Sequence, residues 1–176
     1  MNCIVVVPTP GPDPSPPPPR VVCPADIIFV VDESGSIGSE NFAMTKSFLI
    51  RLVSTLEVDN GNTRVGLVTF SSNVGTVFDL TDHSSVASLQ SAIRSLVYRA
   101  GSTNTSNALA YVRTTMLTSA AGIRTNSSNV VAILTDGNSN NFDATVVSMK
   151  FVMSDKQIVC SQDCLIVCDS AVRDFV

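Results

Sequence analysis

The sequence predicts a doubly wound α/β domain with a mostly parallel sheet and one antiparallel edge strand. Three observations carry that prediction. Residues 27–31 and 130–134 are apolar throughout rather than alternating, as strands buried on both faces are. Between them lie segments with apolar residues at helical spacing, and strands alternating with helices build parallel sheets. All nine prolines fall at or before Pro24, so the folded unit starts at Ala25.

Residues 1–24 read as a proline-rich linker. Residues 16–19 are consecutive prolines, which favour an extended polyproline-II spacer over a core; a docking ligand for an aromatic-grooved module is the alternative. The first strand spans residues 25–32. Ser39 is placed to cap a helix with Glu40 in its first turn, where an acidic side chain suits the dipole. That helix is expected to reach about residue 58, with Phe42, Phe48, Leu49, Leu52, Val53 and Leu56 inward. The turn at 59–62 ends it. Residues 64–70 and 74–78 are the second and third strands. Only three residues separate them, so they should pair as an antiparallel hairpin.

A helix over 84–96 follows, with Val86, Leu89, Ile93 and Leu96 on one face. Residues 101–105 form a loop, and 106–117 a further helix with Leu109, Val112 and Met116 inward. Residues 130–134 make the fourth strand, and 143–153 another helix. A short strand at 158–160 or 165–168 stands in for a fifth. No internal repeat is visible.

The chain's 176 residues are 44% hydrophobic, enough to fold around one core. Net charge is −4 and the pI is near 4.7, so no electrostatic footprint for nucleic acid or anionic lipid is present. The longest apolar runs are far short of a membrane span, which argues against membrane insertion. The first seven residues lack a basic leader, and their apolar stretch stops at Pro8. They do not read as a secretory signal; either the protein stays inside or the chain is a piece of a longer one.

Chemistry concentrates where the first strand ends. Asp32, Ser34 and Ser36 alternate along the turn that leaves it, offering a carboxylate and two hydroxyls. Oxygen donors without sulfur or imidazole suit a hard divalent cation such as magnesium. Alone, the pattern also fits a capped strand-to-helix turn. In doubly wound sheets ligands bind beyond the carboxyl ends of the strands, where the winding reverses. With strand order 3-2-1-4 the first strand lies beside the fourth, so Asp32 and Asp136 should meet there. The loop holding Thr103 can lean over the same crevice.

These segments resemble those of a known family. Asp32-x-Ser34-x-Ser36, Gly101-Ser102-Thr103-Asn104-Thr105 and Leu134-Thr135-Asp136-Gly137 look like the three parts of the metal-ion-dependent adhesion site of von Willebrand factor type A (VWA) domains. The wording around them is similar to that of extracellular matrix members such as matrilins and type VI collagen, over roughly residues 25–150. The resemblance implies a Rossmann-like VWA fold and an adhesion module with no enzymatic activity. Ser34 and Ser36 would bind the ion directly, and Thr103 would join when ligand is bound. Thr105 would start the next helix. Asp32 and Asp136 would act through coordinated water. The ion would be magnesium, with manganese or calcium as alternatives. A carboxylate on an extracellular matrix or cell-surface protein, collagen-like among the candidates, would complete its shell. The implied location is extracellular, as a secreted protein.

Residues 155–176 depart from the family. Its glycine-rich fifth strand is absent, and no room remains for the last strand and helix, so the VWA domain over 25–176 reads as divergent or truncated there. A scaffold without a working metal site is therefore a second reading. A magnesium-dependent phosphatase is a third, although Ser34 stands where such enzymes need a second aspartate.

Cys160, Cys164 and Cys168 lack zinc-knuckle spacing and read as buried apolar residues. Matrix members often carry a cysteine at the position of Cys23 that bridges to one after the domain; the sequence shows no clear partner. With Cys3 the count is five, so at least one is unpaired or intermolecular. His83 reads as a solvated cap residue, and with no nucleophile elbow near it a hydrolase triad is disfavoured. Asn104 and Asn126 both sit in glycosylation sequons. Asn126 is the better acceptor, because a glycan on Asn104 would crowd the site.

Overall fold

The computed structural model describes residues 4–6, 20–135, 139–141, 157–161 and 164–166. Near the start, β1 (Ile4–Val6) pairs antiparallel with β2 (Arg20–Val22), so the two ends of the proline-rich stretch lie side by side. The main domain then runs β3 (Ala25–Asp32), α1 (Gly38–Val53), β4 (Thr63–Phe70), β5 (Val74–Phe78) and α2 (Val86–Arg94). It continues through α3 (Thr105–Tyr111), a π-helical turn over Val112–Met116, β6 (Ser128–Leu134), β7 (Gln157–Ser161) and β8 (Cys164–Ile166).

The sheet order is β5-β4-β3-β6-β7-β8. Strand β3 pairs parallel with β4 on one side and β6 on the other, which is the expected 3-2-1-4 order. Strand β5 returns antiparallel to β4, as the short connection requires. At the far edge both candidate short strands form. Strand β7 runs parallel to the start of β6, and β8 folds back antiparallel beside its end, adding a second antiparallel strand. The helix expected over 143–153 lies outside the described residues. Among the described residues, no helix is long and apolar enough to cross a membrane.

The two faces of β3 explain its unbroken apolar run. Phe29 and Val31 pack with Phe42, Leu49 and Val53 of α1 and with Leu89 and Ile93 of α2. Ile28 and Val30 pack with Ala108, Leu109, Val112 and Met116 on the other side. Both faces are covered by helices, so polar alternation would cost burial on one of them.

Helix α1 corrects three expectations. It ends at Val53 rather than near residue 58; Val58 still buries, in the turn that follows. Ser39 is not its cap, because the helix is entered through Gly38 at φ +73°, one residue earlier, and its N-cap makes no side-chain bond. Phe48 is 45% exposed rather than inward. It lies six residues beyond Phe42, which turns it about 240° around the helix and off the inner face. His83 is corrected too. Ser85 caps α2 by accepting from the Ser88 amide at 3.2 Å, while half-buried His83 sets its ring edge-on to Phe78 at 4.9 Å.

Candidate metal centre

Strand β3 delivers Asp32 to the carboxyl end of the sheet, where it is almost fully buried at 1% exposure. Each of its oxygens accepts a hydrogen bond. Oδ1 takes the Ser34 amide at 2.7 Å, and Oδ2 takes the Thr135 hydroxyl at 2.6 Å from the end of β6. The second bond ties the first strand to the fourth, at the crevice where the winding reverses. Among the described residues Asp32 has no ion-pair partner. A buried carboxylate held only by neutral donors leaves a negative charge uncompensated, which favours a cation nearby.

The next two turn residues supply the neutral donors. Ser34 is buried and Ser36 exposed, and their hydroxyl oxygens stand 3.1 Å apart. Neighbouring ligands of an octahedral ion, each about 2.1 Å from it, are separated by about 3.0 Å. The pair therefore fits one edge of a hard cation's shell. Among the described residues there is no cluster of three or more histidine, cysteine or acidic side chains. Hydroxyls dominate this site, in a pattern unlike a thiolate or imidazole centre.

The loop before α3 reaches the same turn. The Gly35 amide donates to the Gly101 carbonyl at 2.8 Å, so the two backbones touch. A Cβ on Gly35 would lie a tight 3.2 Å from that carbonyl, and Gly101 has φ +110°, a conformation that residues with a side chain rarely adopt. Thr103, buried at 8% exposure, lies two residues on. Its amide donates to Asn140 Oδ1 at 3.3 Å, and its carbonyl accepts from the Asn140 amide at 2.9 Å. Thr105 is the first residue of α3, as expected, with Asn104 as its cap. Thus Asp32, Ser34 and Ser36 are brought together, with the Thr103 loop bonded to their turn. Asp136 follows Thr135 in sequence and lies outside the described residues.

Sequence reasoning missed the residues that fasten the turn. Glu33 is fully buried beneath it and pairs with Arg99 at 3.2 Å, while the Tyr98 hydroxyl donates to the Ser34 carbonyl at 3.1 Å. An acidic residue between Asp32 and Ser34 was the available signal, but nothing local names its partner. Cys23 is disulfide-bonded, although the sequence offered it no clear partner. Asn126 is exposed, whereas the Asn104 side chain accepts from the Asn107 amide and donates to the Ser72 carbonyl, both at 3.3 Å.

Comparison with known proteins agrees with this fold. The family model for the von Willebrand factor type A domain matches residues 26–158. The collagen alpha-4(VI) chain of Mus musculus is 40% identical over 119 residues, 66% of this chain and 5% of its own length. Matrilin-1 of Mus musculus is 40% identical over 117 residues, 65% of this chain and 23% of its own. The chain thus spans a small part of the curated relatives it matches. These relatives are secreted matrix proteins rather than enzymes, in line with the extracellular placement the resemblance implies. Among solved structures, proximal thread matrix protein 1 from the mussel byssus is similar, with TM-score 0.72 and 28% identity over 78% of this chain and 37% of that one. Another structure of that protein, with TM-score 0.71, 27% identity and the same coverage of both chains, has a zinc occupied MIDAS motif. The chain belongs to the von Willebrand factor type A domain family.

Proposed function

We propose that residues 25–176 form a divalent-cation-dependent adhesion module that binds a carboxylate on another protein. Ser34 and Ser36 hold the ion through their hydroxyls, and Thr103 joins when the partner arrives. Asp32 and Asp136 set charge and orientation through coordinated water. The observation that carries this reading is Asp32: a buried carboxylate with no cationic partner among the described residues, beside two hydroxyls at ligand spacing. The donor chemistry favours magnesium, with manganese or calcium as alternatives. Zinc in the mussel protein's MIDAS motif supports a divalent ion in general.

Two neutral hydroxyls leave most of the ion's charge unspent. It therefore attracts an acidic side chain from outside, and the reading assigns the domain no catalysis. The partner class is an extracellular matrix or cell-surface protein, with a collagen-like chain as the first candidate. Residues 1–24 serve as a linker in this reading.

The test is adhesion of parent and Asp32→Ala to immobilised collagen, in magnesium and in chelator. Parent binding in magnesium alone, lost in Asp32→Ala while circular dichroism is unchanged, supports the module. Magnesium must also raise the parent's thermal midpoint, and the Asp32→Ala midpoint must not respond. No magnesium response in the parent, or one shared with Asp32→Ala, overturns the metal site. A metal response without collagen binding overturns only the collagen-like partner.

A further inference from the structure

We propose that Glu33 and Arg99 are positioning residues that hold the Thr103 loop against the Ser34–Ser36 turn; the proposal rests on the metal-site reading above. Three consecutive turn residues are each grasped from one short stretch. Glu33 is held by Arg99 Nη1 at 3.2 Å, the Ser34 carbonyl by the Tyr98 hydroxyl at 3.1 Å, and the Gly35 amide by the Gly101 carbonyl at 2.8 Å. The stretch contains Ala100 at φ +57°, a left-handed conformation that is unfavourable for a residue with a Cβ. Backbone of that kind persists where its surroundings over-determine it.

The ion pair is built for this task. Glu33 is fully buried, while Arg99 is about half exposed and bridges outward to the Thr76 hydroxyl at 3.1 Å. Thr69 donates to the same Glu33 oxygen at 3.2 Å and accepts from the Thr76 amide at 2.7 Å. Gly75 lies so close that any Cβ there would collide with both Glu33 Oε1 and Thr69 Oγ1. Glu33 is therefore fixed from the β4–β5 hairpin side and Arg99 is fixed by Glu33. The guanidinium then sets where the chain begins its climb through Ala100 and Gly101 to Thr103. Asp32 and Ser34 flank Glu33 in sequence, so the anchor and the proposed ligands belong to one rigid turn.

Losing the pair should weaken metal binding more than it weakens the fold. The experiment compares parent, Arg99→Ala, Arg99→Lys and Glu33→Gln by magnesium calorimetry, by thermal unfolding in chelator, and by amide exchange at residues 101–104 without metal. Arg99→Ala should lose about tenfold in magnesium affinity, Arg99→Lys less, and both should exchange faster over 101–104. Should Arg99→Ala fail to fold, with Glu33 left buried without its cation, Glu33→Gln reads the same contact. Parent-like magnesium affinity in the folded variants overturns this inference and leaves the metal site standing. Unchanged exchange over 101–104 overturns it too. A parent that binds no magnesium overturns the metal-site reading and this inference with it.

Discussion

Strand β3 carries a buried aspartate at each end, on the same face of the sheet, and the two meet opposite surroundings. Asp26 is fully buried against Arg124, whose Nε reaches Oδ1 at 2.8 Å and whose amide reaches Oδ2 at 2.8 Å. Ser127 adds a hydroxyl at 2.6 Å. The same guanidinium also donates to the carbonyls of Gly61, Ala25 and Asn62 at 2.8 to 3.0 Å, stitching three segments together. Among the described residues, Asp32 accepts only from an amide and a hydroxyl. Burial alone therefore does not separate a carboxylate that the fold pairs with a cation from one that it holds with neutral donors. The difference is whether the fold supplies a countercharge: Arg124 does so for Asp26, and among the described residues none does so for Asp32.

Breaking the Asp26 end should have the largest effect. Arg124→Ala leaves a fully buried carboxylate without its cation, a loss of about 3–5 kcal/mol where both charges are well shielded. A fall of roughly 10 °C or more in thermal midpoint is expected. Magnesium affinity of the protein that remains folded should stay near the parent value. If Arg124→Ala unfolds at the parent's temperature, the Asp26 pair is not a structural anchor.

The Asp32 end should respond in the opposite way. Asp32→Asn keeps a side-chain acceptor and removes the uncompensated charge, so stability in chelator should lie within about 1 kcal/mol of the parent. With magnesium at about 100 times its dissociation constant, the parent should gain about 2.7 kcal/mol and Asp32→Asn almost nothing. Thermal unfolding in magnesium and in chelator measures both. A large destabilisation in chelator, with the magnesium gain intact, would make Asp32 a second Asp26.

The Asp32 end was far more legible in the sequence than the Asp26 end. Asp32, Ser34 and Ser36 are neighbours, and a turn leaving a continuous apolar strand announces where they lie. Strands β3 and β6 were readable because residues buried on both faces leave no alternation. The Asp26–Arg124 pair spans 98 residues and has no local signature. Glu33 and Arg99, 66 residues apart, are hidden for the same reason. Helix α1 shows another limit. Its apolar residues continue past Val53 through Leu56 and Val58, and burial in the following turn looks the same in sequence as burial on a helix.

The smallest expected effect lies at a half-buried carboxylate that has no ion-pair partner among the described residues. Asp79, after β5, has its pKa raised above the ordinary 3.8, first by burial and then by the neighbouring charge of Asp82. A raised acid holds its proton longer in the folded chain than in the unfolded one. Between pH 3.8 and the raised value the folded state binds more protons, so stability falls as pH rises through that window. Above it a small constant penalty remains. Asp79→Asn removes the charge and should stabilise the protein near neutral pH, by no more than about 0.5 kcal/mol because solvent screens the site. The gain should vanish at the acidic side of the window, where Asp79 is protonated in both states. Denaturant unfolding of parent and variant from roughly pH 3 to pH 7 reads the difference. A penalty comparable to that of Arg124→Ala would mean that Asp79 is as well shielded from water as Asp26. A carboxylate there would then need a countercharge of its own.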